Sequence, residues 1–454
     1  MFSGRIVYKS FSSNPDYFVL CGDGVRKLLQ DATESDYAIG ECVFFDGSAK
    51  GGEVSADAIR LAEENEEAKV AAEAELFLER TCRAFDVEPL VEDVAMRKML
   101  PAIKTAAIYA QRKICEMAPI ILRHDSDPDG ICSALMFRKA LRNFAAKINP
   151  HYPERFVIAK AADSPIYEMK NLTSDAETAA DFAKKPLIAL FDHGANVESE
   201  RTVMSAKESG FELFFMDHHP YSDWTEKNAD CFIDALQFGG TSSHCTGLLA
   251  WHLAKAICGT ADENPAWWAM QADRSSFAKK ETFPEPIAMD YLATKDTTLN
   301  QYEKIFADKH LIGLSYQKAV LLRRKALAKA QQSCKRLPMN GGELLLLEIS
   351  GFTEKYPPKG GFVQQLHELH EPEARKIVTI GHDRERVIFR ANAAANEAGF
   401  KANLLIEKIK SEFPNAIASG GGHERASSMR VREGFSTSLI LERVIELAKQ
   451  MSGG

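Results

Sequence analysis

The sequence has no CxxC pair, no GxxxxGK[ST] loop and no uninterrupted apolar run long enough to cross a bilayer. The first absence, with an odd count of nine cysteines in a long chain, argues against a disulfide scaffold. Reduced, buried thiols in a cytoplasmic protein are expected instead. The second removes nucleotide hydrolysis by the P-loop route. The third leaves no membrane span, and the opening MFSGRIVYKSFSSNPD lacks the apolar core of a secretion signal. Positive charge is also in short supply. The formal net charge of -8 argues against a protein that coats long nucleic acid. It does not argue against an enzyme, because metal-binding carboxylates count as negative until their cations arrive.

What is present is an ordinary globular composition, 45% apolar and 26% charged. A chain of 454 residues exceeds one ordinary core, so two or three domains are expected. Residues 1–90 read as a small β-containing region followed by an acidic helix. Short strands are predicted at Arg5–Tyr8, Tyr17–Cys21 and Cys42–Phe45, and a helix from about Ala56 to Phe85. The glutamates of that helix, from Glu63 to Glu79, form either a solvated face or a docking surface for a replication or repair partner. From residue 91 to 308, strand-like runs alternate with helix-sized segments. That rhythm predicts an α/β fold, a mostly parallel sheet with helices on both faces. Residues 309–339 hold a basic stretch, with eight Lys or Arg and no acid between Lys309 and Gly342, read as a helical linker. Residues 340–454 read as a smaller C-terminal α/β domain.

Three apolar runs end in candidate ligands. The first enters His124-Asp125-Ser126-Asp127-Pro128-Asp129-Gly130, the second ends in Asp192-His193, and the third in Asp217-His218-His219. Parallel sheets bind ligands beyond their carboxyl edge, so these loops are in the expected place. Three aspartates packed so closely repel unless protons or cations compensate. The run does not continue as a calcium loop. Imidazole with carboxylate suits Mn²⁺, with Mg²⁺ as the alternative. Asp273, in the segment Gln271-Ala272-Asp273, is a fourth candidate. Two cations about 3.5–4 Å apart can activate water and neutralise phosphate oxygens, and no Cys or Ser stands out as a competing nucleophile. Arg323 and Arg324 in the basic stretch are candidate phosphate contacts. So are Gly420, Gly421, Gly422, His423 and Arg425, with Arg384, Arg386 and Arg390 on a nearby strand-like segment. Three successive glycines let a backbone approach a ligand closely.

Together these residues resemble the DHH phosphoesterase superfamily, and more narrowly its RecJ-like single-strand nucleases, including the archaeal branch. The resemblance covers roughly residues 115–454, with Asp217, His218 and His219 as the name-giving motif. It implies that Asp127 serves one metal, that Asp129 and His218 serve the other with Asp273 beside them, and that Asp192 bridges the pair. Asp125 and Asp217 are then ligands or their close support, His219 lies near the scissile phosphate, and the GGGH segment belongs to a DHHA1-like substrate-binding domain. The sequence departs from the family at Arg123, where many relatives place a His, and at His193, an extra ligand or a donor to one. The leading expectation is a two-metal exonuclease on single-stranded DNA or RNA. Phosphodiester hydrolysis of very short oligonucleotides or cyclic dinucleotides is the alternative, and a noncatalytic replication scaffold is a third reading.

Overall fold

Inward and outward side chains alternate along the first strands, and five of them close on themselves. In the computed structural model, which describes residues 2–11, 15–30, 36–162, 164–352, 355–370 and 375–451, these are β1 (Phe2–Lys9), β2 (Tyr17–Cys21), β3 (Gly24–Gln30), β4 (Cys42–Lys50) and β5 (Glu53–Leu61). Their order is β1-β2-β3-β5-β4, with β3 parallel to β5. That is the topology of an OB barrel. Ile6, Val19, Leu28, Val43, Phe45 and Val54 fill it. Outside the barrel, Tyr8 packs on Phe156 and Phe18 on His151, so the β1–β2 side rests on the neighbouring sheet domain. The helix expected from about Ala56 begins later. Residues 56–61 are needed to close the barrel, where β5 pairs with both β4 and β3. The helix α1 is Glu64–Thr81. Its acidic face is partly tied down, Glu66 to Arg60 and Glu75 to Arg112.

The helix α2 (Val94–Cys115) leads into the alternating region: β6 (Ile120–Asp125), α3 (Pro128–Ile148), β7 (Val157–Ala162), α4 (Met169–Ala179), β8 (Leu187–Phe191), α5 (Glu200–Glu208), β9 (Glu212–Asp217), α6 (Asp223–Asn228) and β10 (Cys231–Asp234). The five strands form a parallel sheet in the order β10-β9-β8-β6-β7, flanked by helices. The chain runs from β6 outward to β7 and then returns to β8 on the other side of β6. That reversal is a topological switch point. The helix α7 (Thr246–Cys258) is buried at every position except Lys255 and packs on α2 and α3, as a helix apolar on all sides must. The helix α8 (Asn264–Ala272) completes the first compact unit, Met1–Phe283.

The second unit, Pro284–Gly454, begins with α9 (Glu285–Ala293), α10 (Leu299–Phe306) and α11 (Lys309–Ser333). The basic stretch is α11. It packs along α9 and along α12 (Lys359–His370), inside this unit, and the units divide between Phe283 and Pro284 rather than near residue 308. The sheet here comprises β11 (Lys335–Met339), β12 (Gly342–Glu348), β13 (Lys376–His382), β14 (Arg386–Ala391), β15 (Ile417–Gly422) and β16 (Ala426–Val431). Its order is β11-β12-β13-β14-β16-β15, with only the β12–β13 pair parallel. Two helices follow β14, α13 (Ala393–Glu397) and α14 (Ala402–Glu412), separated where Gly399 takes a φ of 107°. The helix α15 (Thr437–Met451) closes the unit.

All nine cysteines are free thiols. Among the described residues no helix is long and apolar enough to cross a membrane.

One buried polar network stands behind the parallel sheet. Arg123 on β6 gives its guanidinium to both oxygens of Asp175 at 2.7 and 2.8 Å and to the Asn171 carbonyl. Lys160 and the Tyr167 hydroxyl reach the same carboxylate at 3.1 and 2.9 Å. Asp175 is fully buried. Removing it strands a buried guanidinium, which costs far more than losing a surface pair. Asp175→Ala is expected to lower unfolding free energy by about 3–5 kcal/mol, read from urea denaturation, with a smaller loss in Asp175→Asn.

Candidate metal centre

Each ligand loop follows a strand whose residues are apolar and buried, so the polar residues collect at one edge. After β6, Asp127 caps α3 by accepting from the Gly130 N–H at 2.9 Å, and Pro128 starts the helix. Gly130 has a steric reason: a Cβ there would sit 2.5 Å from the Asp125 carbonyl oxygen. After β8, Asp192 takes a φ of 57°, a conformation non-glycine residues rarely hold. Its N–H donates to the Met216 carbonyl. After β9, Asp217 Oδ1 accepts from the His218 and His219 backbone N–H groups and from His219 Nδ1 at 2.9 Å.

These loops converge. His218 Nε2 lies 3.4 Å from Asp192 Oδ1, 3.5 Å from Asp273 Oδ2 and 3.7 Å from Asp129 Oδ2. Such distances are long for hydrogen bonds. Ligands about 2.0–2.2 Å from a shared cation lie roughly 3.0–3.5 Å from one another, so the donors are spaced to fit one. The Ser242 carbonyl, 3.3 Å from Nδ1, can only accept and so favours the proton on that nitrogen, which leaves the Nε2 lone pair for a cation. Among the described residues of the first unit, three groups can offer ligand atoms at mutual distances within 4.8 Å: Asp125, Asp127 and Asp192; Asp129, His218 and Asp273; and Asp192, Asp217, His218 and His219. Asp192 belongs to two of them.

The electrostatics follow from crowding. Desolvation, then Asp127, pushes Asp125 up to about 8, and desolvation with Asp273 pushes Asp129 up to about 7. Asp192 is raised by burial first and then by Asp129 and Asp127. Burial opposes charge on His218, but Asp273, Asp129 and Asp217 outweigh it and raise the ring to about 9. Burial and His218 oppose charge on His219, and Asp217 and Asp192 outweigh them to the same value. Burial also works against Asp217, yet its bond to the His219 ring holds it below the usual carboxylate range.

The other residues singled out in the sequence are placed within their own units. Arg123 is held by Asp175, and His193 is in none of the three groups. Burial drives His193 down to about 3, and its ring packs against Tyr167. In the second unit, Arg323 is bound to Asp290 at 2.6 Å and to the Tyr356 hydroxyl, and Arg390 to Gln364 and the Phe389 carbonyl. Arg324, Arg384 and Arg425 are exposed. Arg425 also donates to the Ala391 carbonyl, and Arg386 begins β14. Gly420, Gly421 and Gly422 form the end of β15, the edge strand, and His423 starts the turn into β16.

Two contributors were missed in the sequence. Asp234 ends β10 directly beside Asp217, is fully buried, and is raised to about 7 by burial and by Asp217. It is a strand-end acid like the others and could have been found. The segment from Gly239 to Gly247 has the small polar residues of a helix start. The N–H groups of Thr246 and Gly247, at the N-terminus of α7, donate to the two oxygens of Asp129 at 2.8 and 2.7 Å. A Cβ on Gly247 would come 2.4 Å from the Ala269 Cβ and 2.9 Å from Asp129 Oδ1. Nothing in the sequence ties that turn to an aspartate so far upstream.

Residues 119–274 match the DHH family, N-terminal domain. They form a DHH domain. The chain is 26% identical over 431 residues to an uncharacterized protein of Methanocaldococcus jannaschii, an alignment covering 81% of this chain and 56% of that one. The chain thus spans about half the length of that relative. A solved DHH domain, described as coming from a member of a family of ribosomal proteins, superposes with a TM-score of 0.77 at 20% identity, covering 86% of this chain and all of that one. RecJ of Thermus thermophilus in complex with Mn²⁺ gives 0.52 at 14% identity, covering 77% of this chain and 55% of that one. Both share the fold.

The pKa shifts determine a direction for stability without cations. Between pH 6.5 and 8, Asp125, His218 and His219 hold protons in the folded chain that the unfolded chain has released. His124, His193 and His252, lowered in the folded chain, oppose this near pH 6.5, where their unfolded rings still bind protons, but that opposition fades as pH rises through the window. The EDTA-treated chain is therefore expected to lose thermal stability as pH rises from 6.5 to 8, and saturating Mn²⁺ to abolish the slope. Scanning calorimetry checks this, and a metal-free stability that rises across the window contradicts it.

Proposed function

We propose that the chain is a divalent-cation-dependent phosphodiester hydrolase that acts on single strands of DNA or RNA and releases nucleotides from an end. The observation that carries this reading is the arrangement of three carboxylate oxygens around His218 Nε2 at 3.4–3.7 Å, inside a DHH domain. Asp127, Asp129, Asp192, His218 and Asp273 would hold two cations, with Asp125 and Asp217 as further ligands or their support. The mixed imidazole and carboxylate set suits Mn²⁺, with Mg²⁺ as the alternative, and a RecJ of this fold carries Mn²⁺. Bound cations would supply acidified water and neutralise charge on the phosphoryl oxygens.

The chain's own residues do the rest. The His218 side chain is closed off, while that of His219 is 35% exposed. Asp217 takes the His219 Nδ1 proton as a hydrogen bond, which leaves Nε2 for the phosphate. A proton on that Nε2 can be donated to a non-bridging oxygen. Arg324, Arg384, Arg425, His423 and the glycine-rich edge strand Ile417–Gly422 are the candidate contacts to the strand. The free thiols fit a cytoplasmic site of action. The exposed glutamates of α1 offer a surface for a replication or repair partner.

The net charge of -8 favours one second reading, a hydrolase for very short oligonucleotides or cyclic dinucleotides. The completeness of the donor set weighs against a noncatalytic scaffold. The test is turnover by the full chain, with Mn²⁺ or Mg²⁺, on end-labelled DNA and RNA of about 20 nucleotides and on dinucleotides. Mononucleotide release from the longer strands is expected. A preference for dinucleotides moves the function to the second reading, and no cleavage with either cation overturns both. Asp129→Asn and Asp192→Asn should each lower kcat more than about 100-fold, beyond the loss typical for a partner one step removed from a metal. Circular dichroism should stay unchanged.

A further inference from the structure

Asp192 is held by its backbone in a left-handed conformation, and its carboxylate is buried. The backbone bond to Met216 places the residue but does not set the rotation of its side chain. That rotation matters, because Asp192 is the carboxylate common to the group with Asp125 and Asp127 and to the group with Asp217, His218 and His219. The hydrogen bond its carboxylate receives comes from the Thr246 hydroxyl, 3.2 Å from Oδ1.

Thr246 is itself unusually well fixed. It is fully buried at the first position of α7, and its backbone N–H already holds Asp129 Oδ2. The turn before it is pinned twice: His244 Nε2 meets Asp93 Oδ2 at 2.9 Å, and the Ser275 hydroxyl donates to the Ser243 carbonyl at 2.6 Å. In a helix interior a threonine hydroxyl commonly bonds the carbonyl four residues back. At the first position no helical carbonyl precedes it, so the hydroxyl is available to the carboxylate.

We propose that Thr246 is a positioning residue that couples the two cation sites, its N–H orienting Asp129 and its O–H orienting Asp192. The proposal rests on the two-cation reading. Thr246 touches no substrate. It acts by holding the shared carboxylate so that both cations find it, and its loss should affect the second cation more than the first.

Thr246→Val keeps the side-chain shape and the bond to Asp129 and removes only the hydroxyl. Mn²⁺ titration of the full chain by calorimetry, with electron paramagnetic resonance on the same samples, reads the effect without turnover. The expected result is first-ion affinity close to wild type, second-ion affinity lower by about 10- to 100-fold, and loss of the exchange-coupled signal of the Mn²⁺ pair. Thr246→Ser, which keeps the donor, should restore both. An unchanged second affinity and coupled signal in Thr246→Val overturn the proposal, as does a failure of Thr246→Ser to rescue. If Thr246→Val is unfolded by circular dichroism, Thr246→Ala is read by the same criteria. A wild-type chain that binds no Mn²⁺ pair overturns the two-cation reading and this proposal with it. A wild-type pair left intact by loss of the hydroxyl overturns this proposal alone.

Discussion

Six carboxylates and two imidazoles form overlapping groups, each within ligand reach, at the edge of a buried sheet, and most of the first unit is arranged to make that tolerable. Like charges at this separation in a low-dielectric site cannot all be ionised without compensation. The fold supplies part of it through two helix N-termini. Asp127 sits on that of α3, and Asp129 receives two N–H groups from that of α7. The imidazoles supply another part, since His218 and His219 are raised by the carboxylates around them. Cations would supply the rest; without them burial and neighbouring acids keep Asp125, Asp129 and Asp192 raised.

The charged residues behind the sheet behave differently. Arg123 and Lys160 are matched by Asp175 and the Tyr167 hydroxyl, and the network is complete without any ligand. The position preceding the first aspartates therefore serves the stability of the sheet. The contrast between a satisfied cluster and an unsatisfied one, on the same strand, separates structure from chemistry more sharply than residue type does.

Basic residues show the same division. Arg323 and Arg324 are neighbours in α11, yet Arg323 is engaged by Asp290 and Tyr356 while Arg324 is exposed. Arg390 is bound inside its unit, whereas Arg384 is exposed. A run of positive charge in the sequence thus overstates the cation available to a phosphate.

Strand and helix periodicity in the sequence determined the parallel α/β sheet, the strand ends that carry Asp125, Asp192 and Asp217, and the smaller C-terminal α/β unit, because apolar runs bounded by polar turns are local signals. Barrel closure was not legible, since it depends on β5 pairing with both β3 and β4, contacts between segments apart in the chain. Nor was the role of Thr246, whose bonds to Asp129 and Asp192 join residues far apart in the chain. The order of strands around β6 likewise emerged only when the chain folded. That order brings separate loops to one point, because a sheet's switch point is a property of how crossovers return and leaves no mark on the residues that form it.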